Sequence, residues 1–291
     1  MNAMRKALFA LPAFLVMHPG FATLATARDV PYVPTPEATV NKMLELAEAG
    51  PDDLLYDLGS GDGRIVITAV RDFGVPRAIG IDIDPERIAE SLRNAEEAGV
   101  TDRTEFREEN VFETDFSEAS VVTMYLLSTV NLKLRPRILS ELKPGTRVVS
   151  HAFDMDEWQP DRTARVPEEN DNLFMWIVPA QAAGTWQWSA GERSFETEIM
   201  QSFQNLEAKV PEGEPMTIDR IALSGASLSF EGSFRRDGST VPLRFDGEVS
   251  GDRIEGTMSV DGREMKASAE RTARHTRRES APGEARRADP S

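Results

Sequence analysis

The feature that most constrains the fold is a glycine-rich stretch, residues 57–63, which reads DLGSGDG. The apolar residues LLY precede it, and the run IVITAV follows after Arg64. The first flank predicts a short buried strand, and the second predicts the first turns of a helix. A glycine-rich turn between a strand and a helix lets backbone N–H groups approach a ligand, because no side chain intervenes. The sequence therefore predicts an α/β unit with a binding site at this turn.

The spacing of the glycines separates this turn from two common nucleotide-binding loops. It is G-x-G-x-G, which differs from the dinucleotide G-x-G-x-x-G and from the phosphate loop G-x-x-x-x-G-K-[ST]. The turn has no lysine at its end, and Asp57 and Asp62 would repel a phosphate. A cationic or zwitterionic ligand is therefore favoured over a polyphosphate, and S-adenosylmethionine fits that description. An ordinary strand-to-helix turn is the alternative explanation.

Two later strands end in polar residues that could complete a nucleoside site. The run AIGID ends at Asp82, about 20 residues beyond the turn, where an acid accepts hydrogen bonds from ribose hydroxyls. A third strand, predicted at residues 106–111, contains Asn110, which could reach an adenine. With these residues the chain resembles the class I S-adenosylmethionine-dependent methyltransferases. The resemblance implies a Rossmann-like sheet and S-adenosylmethionine as the cofactor.

Strands and helices alternate as far as residue 178, which predicts a parallel sheet. A helix is predicted to open at Pro36 with Thr35 as its N-cap. A fourth strand is predicted at residues 120–126, and its carboxyl end at Tyr125 should face the cofactor. The apolar run at residues 173–178 is predicted to be the last strand of the sheet and antiparallel. The segment before that run is too short and too proline-rich for a crossover helix.

Two further signatures narrow the resemblance. Pro-Tyr-Val-Pro-Thr-Pro occupies residues 31–36, and Arg-Val-Val-Ser-His-Ala-Phe at residues 147–153 is followed by Trp-Gln-Pro at residues 158–160. With DLGSGDGRIVI, these stretches resemble the mitochondrial protein-lysine methyltransferases that act on ATP synthase subunit c and the adenine nucleotide translocase, and more faintly the Dot1 type. The resemblance covers about residues 30–178.

This resemblance assigns a set of cofactor-binding residues. They are Asp57, Gly59, Gly61 and Gly63 at the methionine end, with Ser60 among them, Asp82 at the ribose, and Asn110 at the adenine amino group, where the family usually has an aspartate. Tyr32 and Thr35 lie just upstream of the turn in the sequence and could close over the cofactor.

A lysine acceptor must lose a proton before it can attack, since model lysine has a pKa near 10.4. A desolvated aromatic pocket would disfavour the charged amine. Tyr125, Phe153 and Trp158 are candidate walls of such a pocket, and His151 could accept the proton. The alternatives are that Tyr125 belongs to the strand core and that His151 merely ends a strand.

The second half of the chain has a different pattern. From Gly184 to residue 271, apolar and polar residues alternate between turn signals, which predicts a small antiparallel all-β domain of seven or eight strands, a sandwich or a barrel. Trp186 and Trp188 could cover one of its ends. A stabilising or docking role is favoured over a ligand pocket. The methyltransferase domain is predicted to span residues 28–179, and the polar, arginine-rich residues 272–291 are predicted to be disordered.

Composition excludes several partners and chemistries. The net charge of −16 makes duplex nucleic acid a poor partner. The chain has no cysteine, which excludes thiol catalysis, disulfides and cysteine-ligated metal. Its three histidines are too far apart in the sequence to suggest a metal site, and no metal is expected.

Residues 1–27 have the three parts of a secretory signal peptide. Arg5 and Lys6 precede an apolar run at residues 7–17, and Ala-Thr-Ala at residues 25–27 forms the cleavage site. The run is short for a membrane span. The segment predicts a periplasmic or secreted protein; the alternative is a cytoplasmic or inner-membrane-anchored one.

Export conflicts with a cofactor that is made in the cytoplasm, so three functions remain open. The first is methylation of a protein lysine, with proximity to a membrane compatible with it. The second is methylation of a small molecule or lipid. The third is an exported binding protein that keeps the fold without catalysis. The oligomeric state is not predicted.

Overall fold

A computed structural model describes residues 32–236 and 238–275, which form two β-sheets. The first sheet has seven strands and packs against helices, and the second has eight strands. The elements of the first unit are α1 (Glu37–Leu46), β1 (Leu54–Leu58), α2 (Arg64–Asp72), β2 (Arg77–Asp82), α3 (Pro85–Ala98), β3 (Thr104–Glu108), β4 (Val121–Met124), α4 (Ser128–Glu141), β5 (Arg147–His151), β6 (Arg162–Val166) and β7 (Asp171–Ile177).

The strand order of the first sheet is β3-β2-β1-β4-β5-β7-β6. Strands β1 to β5 run parallel, as predicted, and β7 runs antiparallel to β5. Strand β7 is the last strand of this sheet along the chain, as predicted, but β6 pairs along its outer side and forms the edge of the sheet. The residues before β7 therefore form a strand and not a crossover helix, in agreement with their length and proline content.

Two apolar cores lie on opposite faces of this sheet, because side chains of a strand alternate between its faces. Leu55 of β1 packs with the apolar stripes of α1 and α2. Its neighbours Tyr56 and Leu58 pack with α4 on the other face. The apolar stripe of each helix thus packs on one face of the sheet: α1 and α2 cover one face and α4 covers the other.

Helix α3 is followed by Gly99, whose φ of +67° suits a glycine cap. Three local predictions need correction. Thr35 is not the N-cap of α1, because Pro36 takes that position and the Thr35 hydroxyl bonds to His151 instead. Strand β3 ends at Glu108, so Asn110 lies in the following turn. Strand β4 is shorter than predicted, and Tyr125 comes directly after it.

The second sheet is a barrel with one open seam. Its strands are β8 (Gly184–Ala190), β9 (Arg193–Ser202), β10 (Asn205–Lys209), β11 (Met216–Ser224), β12 (Ser227–Arg236), β13 (Ser239–Ser250), β14 (Arg253–Val260) and β15 (Arg263–Ala273). Neighbours are antiparallel in the order β10-β9-β8-β15-β14-β13-β12-β11. The two edge strands, β10 and β11, come together without a hydrogen-bonded ladder and line a cleft.

The interior of the barrel is filled by aromatic side chains. Trp188 stacks on Phe195 and meets Phe230 and Phe245 edge to face, so it lies within the core and does not cover an end as predicted. Trp186 is also fully buried, but the guanidinium of Arg271 lies 4.3 Å from its ring centroid.

The barrel docks on the first unit through two of its turns. Phe203, between β9 and β10, stacks on Trp158 with ring centroids 5.9 Å apart. In the turn between β11 and β12, Gly225 accepts a hydrogen bond from Ala180 N and packs against Gly145. Because Gly145 precedes β5, this contact lies at the amino ends of the parallel strands, opposite the end where ligands bind such sheets.

Two predictions concern segments outside the described residues. The predicted signal peptide, residues 1–27, lies outside the described residues, as does the predicted disordered tail from residue 276 onward. Thr272 and Ala273, predicted to be disordered, belong to β15, and Ala273 pairs with Thr185. None of the helices within the described ranges is both long and apolar enough to cross a bilayer.

Replacement of Phe203 tests this docking. Phe203→Ala should lower the free energy of unfolding by about 3 kcal/mol, since it empties an aromatic contact next to Trp158. Urea titration followed by tryptophan fluorescence measures the loss, and Phe203→Leu, which keeps most of the apolar volume, is the matched control. A loss below about 1 kcal/mol would mean that the junction contributes little to stability.

Candidate active site

A cavity of about 260 Å³ opens at the carboxyl ends of β1, β2 and β4. Ligands bind at this end of open α/β sheets. Residues 32–35, here called the strap, form one wall, and the glycine loop, residues 57–63, forms another. Of the predicted site residues, the cavity wall includes Tyr32, Thr35, Asp57, Gly59, Ser60, Gly61, Asp82, Asn110 and Tyr125. Gly63 and His151 lie outside the wall.

The N–H groups of the glycine loop are largely engaged within the protein. Gly59 N and Ser60 N donate to the carbonyl oxygen of Ile81, at 2.8 and 2.9 Å. Gly61 N donates to Asp82 Oδ2 at 2.9 Å. The expectation that these three amides face a ligand is therefore wrong, because the loop folds back onto the end of β2. A loop with its donors turned inward is poorly suited to bind an anion.

Two of the glycines are required by packing against neighbouring rings. At Gly63, with φ +80°, a Cβ would lie 2.7 Å from the ring of Phe106, so this glycine fits α2 against β3. Its expected contact with the methionine end is not supported by its position. At Gly61 a Cβ would lie 2.5 Å from the ring of Tyr32, which covers the loop. The guanidinium of Arg87 lies 4.6 Å from the centroid of the same ring.

Asp62 is already paired with a cation. Arg64 donates to both its carboxylate oxygens, and its Nη1 donates to Thr35 O at 2.8 Å. Burial pushes the pKa of Asp62 up, but the hydrogen bonds and charge of Arg64 outweigh burial and hold the pKa below its usual range. Sequence reasoning considered only a lysine after the loop and missed Arg64. The pairing means that Asp62 does not repel an anion and that Arg64 is not free to bind one.

Asp57, unlike Asp62, is a cavity carboxyl without a cationic partner among the described residues. Its side chain is buried at the end of β1, and Thr123 Oγ1 donates to its Oδ1 at 2.7 Å. Burial raises the pKa of Asp57 to about 7, against the opposing effect of the Thr123 bond. Within residues 32–236 and 238–275, no cation pairs with Asp57 or with Asp82. The cavity therefore favours a positively charged ligand.

Ser60 provides a second sign of a missing polar partner. Its Oγ is buried on the cavity wall and has no hydrogen-bond partner among the described residues. Buried hydroxyls are usually paired, so a ligand that accepts or donates a hydrogen bond there would complete the site. Together with the unpaired carboxyls, this fits a zwitterion that carries a sulfonium, as S-adenosylmethionine does.

Asp82 and Asn110 also organise the protein itself. Asp82 Oδ1 accepts from Asp84 N at 2.9 Å while its Oδ2 holds Gly61. Asn110 Oδ1 accepts from Phe112 N at 3.0 Å, and its amide nitrogen donates to Glu113. Both side chains reach the cavity, and their contacts to ribose and adenine stay predictions.

The aromatic residues divide into two groups. Tyr125 lines the cavity, and its ring stacks on His151 with centroids 3.8 Å apart. The ring centroid of Phe153 is 6.1 Å from that of Tyr125, and Phe153, predicted as a wall of the pocket, does not line the cavity. Burial, with Asp171 nearby, raises the pKa of Tyr125. Trp158 is fully buried between Trp176 and Phe203, so its prediction as a pocket wall is wrong. No group of metal-binding side chains occurs in the described part of the chain.

His151 lies behind Tyr125 and is only 1% exposed. Its Nδ1 is 3.2 Å from Thr35 Oγ1, and its Nε2 is 3.0 Å from Asp171 Oδ2. His151 therefore cannot take a proton directly from a ligand in the cavity. Sequence reasoning missed Asp171, because nothing in the local pattern shows that the first residue of β7 lies beside the last residue of β5.

Comparison with known proteins gives consistent matches to one family. The family model described as the ANTKMT methyltransferase domain matches residues 57–162. A protein-lysine N-methyltransferase from Saccharolobus islandicus is 52% identical over 151 residues, which are 51% of this chain and 94% of that protein. The adenine nucleotide translocase lysine N-methyltransferase of Mus musculus is 30% identical over 56% of this chain and 70% of that protein.

A solved structure is also similar in sequence. It is described as an RNA methyltransferase from Salinibacter ruber in complex with S-adenosyl-L-homocysteine. It is 55% identical, covers 50% of this chain and 94% of that chain, and has a TM-score of 0.49.

The sheet order, the glycine loop after β1 and these relatives define a class I S-adenosylmethionine-dependent methyltransferase. The chain belongs to the ANTKMT methyltransferase family. The matched region of the family model ends at residue 162, before the barrel begins at Gly184.

The carboxyl of Asp57 should make cofactor binding depend on pH. With a pKa of about 7 in the free protein, it becomes ionised as the pH rises, and only the ionised form attracts a cation. The association constant for S-adenosylmethionine should therefore increase up to about pH 7 and level off above it. Asp57→Asn should bind more weakly above that pH and lose this increase. Calorimetry over the pH range measures both effects.

Two controls accompany this prediction. S-adenosylhomocysteine lacks the sulfonium charge and should show a smaller increase with pH. In unfolding experiments, the folded protein keeps a proton between 3.8 and about 7 that the unfolded chain releases, so stability should fall as the pH rises through this window. Asp57→Asn should lack that fall. An equal pH dependence of binding in wild type and Asp57→Asn would contradict the role of Asp57.

Proposed function

We propose that the protein transfers the methyl group of S-adenosylmethionine to the side-chain amine of a lysine in another protein. The observation that carries the proposal is the cavity at the end of β1, where Asp57 and Asp82 lack a cationic partner within the described ranges and Tyr125 faces the same space. Relatives named for lysine methylation, over 94% and 70% of their own lengths, support a lysine acceptor.

The residues around the cavity position the cofactor and the acceptor and exclude water. Bound S-adenosylmethionine supplies a methyl group on a positively charged sulfur, so the protein has mainly to align the acceptor with it. Asp57 balances positive charge, the strap covers the glycine loop, and Tyr125 offers an aromatic face to the acceptor side chain. An aromatic, partly desolvated wall favours the neutral form of an amine.

The mouth of the cavity supports a macromolecular acceptor over a small molecule or lipid. Four large apolar side chains are strongly exposed in the described residues: Tyr32, Val33, Ile83 and Leu92. The first three line the cavity. Apolar surface that is concentrated around an active site is typical of a surface that another protein contacts.

The decisive experiment follows labelled methyl groups into a protein extract of the native host. The full-length enzyme should transfer the label to protein, and acid hydrolysis should release it as methylated lysine. Gly61→Val should abolish transfer, because the new side chain meets Tyr32 and the backbone has φ +53°. Gly251→Val is the matched control: its φ is +59°, but it lies in a barrel turn with open space, so transfer should persist.

Other destinations of the label would overturn the proposal. Label that ribonuclease releases would mean an RNA acceptor, and label in the low-molecular-weight or lipid fraction would mean a small-molecule or lipid acceptor. No transfer at all, together with measurable binding of S-adenosylmethionine, would favour a binding protein that has kept the fold.

The cell compartment is a separate proposal. We infer from the sequence of residues 1–27 that they direct export, so that the mature protein begins near Arg28 and resides in the periplasm or outside the cell. N-terminal sequencing of the protein from fractionated native cells tests this. A start at Met1 in the cytoplasm or on the inner membrane would refute export. The same fractionation, applied to the methylated product, shows whether the substrate lies at a membrane.

A further inference from the structure

A buried row of polar side chains leads from the cavity wall into the first unit. Thr35, in the strap, places its Oγ1 3.2 Å from His151 Nδ1. His151 Nε2 lies 3.0 Å from Asp171 Oδ2, which also accepts a 2.6 Å hydrogen bond from Thr39 Oγ1. The His151 side chain is 2% exposed and that of Asp171 is 19% exposed, so the row begins at the cavity and ends near water.

The carboxylate determines which nitrogen of His151 carries the proton. A carboxylate oxygen 3.0 Å from Nε2 would repel a lone pair there, so this contact favours the hydrogen on Nε2 in the neutral ring, although the direction of the contact departs from that of a hydrogen bond. The lone pair of Nδ1 then accepts the hydroxyl proton of Thr35, a residue of the cavity wall. The row is thus oriented to accept a proton from the cavity side.

The surroundings of the ring contain few other titratable groups. Tyr125 stacks on one face, and Asp171 approaches from β7. The described residues of α1 and the strap contribute the hydroxyls of Thr39 and Thr35, which do not titrate in the physiological range. If the ring takes up a proton, the resulting charge lies beside the Asp171 carboxylate.

We propose that Thr35, His151 and Asp171 form a relay that removes the proton from the acceptor amine. The proposal rests on the lysine acceptor proposed above. In the step, an N–H bond of the lysine ammonium breaks and its proton passes to Thr35 Oγ1, while the hydroxyl proton of Thr35 passes to His151 Nδ1. The lysine keeps the electron pair as a neutral amine, and the positive charge moves to the imidazole beside Asp171.

Each residue has a distinct part in this relay. Thr35 lines the cavity and is the member that contacts the acceptor. His151 holds the proton inside the protein. Asp171 is a positioning residue that fixes the tautomer of His151 and stabilises the charged ring, and its partial exposure allows the proton to leave to water afterwards. Tyr125 separates His151 from the cavity, which explains why the proton must pass through Thr35.

The same contacts would be present if these residues formed only a structural clasp, that is, if Thr35 served only to hold the strap against β5. The two explanations differ in their dependence on pH. A relay is needed only while the acceptor is protonated in water, whereas a clasp is needed at every pH. Model lysine, with a pKa near 10.4, loses its own proton at alkaline pH.

The first test compares two substitutions of Thr35 in the full-length enzyme. Thr35→Val removes the hydroxyl at nearly constant volume and should lower kcat near neutral pH by about 100-fold, the lower part of the range for proton transfer by a side chain. Thr35→Ser keeps the hydroxyl and should retain most activity. The deficit of Thr35→Val should shrink as the pH approaches the lysine pKa. A deficit that is constant with pH, or equal in Thr35→Ser, would overturn the relay.

The second test separates Asp171 from its other partner. Asp171→Asn should lower kcat near neutral pH with little change in the affinity for S-adenosylmethionine, measured by calorimetry. Thr39→Val is the matched control, because it removes the hydrogen bond that Asp171 Oδ2 accepts and leaves His151 in place. A loss in Thr39→Val as large as in Asp171→Asn would identify the carboxylate as structural.

A third measurement does not depend on catalysis. The chain has three histidines, so the ring nitrogens can be assigned by NMR with His151→Gln as the reference spectrum. Wild type should show His151 protonated on Nε2 and not on Nδ1, and Asp171→Asn should weaken that preference. Protonation on Nδ1 in the wild type would overturn the relay. If this test succeeds while no lysine is methylated, the proposed function fails and the orientation of the ring still holds.

Discussion

The site depends on the position of β1 in the centre of its sheet. Strand β1 pairs with β2 on one side and with β4 on the other, so the connections that follow β1 and β4 leave in opposite directions. A crevice must form where they diverge. The described residues that line it come from the strap, the glycine loop and the start of α2, from the segments that follow β2 and β3, and from the turn after β4 and the start of α4. The register of β1 against β4 places Thr123 opposite Asp57. The hydroxyl of Thr123 can therefore hold the carboxyl in a buried position.

The electrostatic potential of the crevice depends on which charged and polar groups have no partner within the described part of the protein. Arg64 is bound to Asp62, and Arg87 is bound to Glu90 and lies over Tyr32, so the cations near the cavity are committed elsewhere. The amides of the loop are committed as well, to Ile81 and Asp82. What remains is carboxyl oxygen and aromatic surface. These groups suit a sulfonium and an amine better than a phosphate. The preference for a cationic ligand therefore depends on which groups pair within the protein as much as on composition.

The sequence was sufficient for the elements and for most of the cavity wall, because both depend on local pattern. The runs LLY, IVITAV and AIGID fix a strand, a helix and a strand, and parallel pairing then gathers their carboxyl ends. The errors have a common origin in contacts between distant segments. Thr35 bonds to His151, 116 residues away, in place of capping α1. Trp158 is buried against Phe203 of the barrel, and the donors of the loop turn toward β2. No periodicity or motif in those stretches encodes such partners.

The attachment of the barrel by Phe203 and Gly225 has a geometric consequence. The turn that carries Gly225 contacts the first unit at the amino ends of its parallel strands, whereas the cavity opens at the carboxyl ends, and no described residue of the barrel lines it. The molecule thus has two opposite poles. A large partner can approach the catalytic pole without meeting the described strands of the barrel. A partner that binds the described strands of the barrel would leave the cavity uncovered, so the enzyme could be held at one pole while it acts at the other.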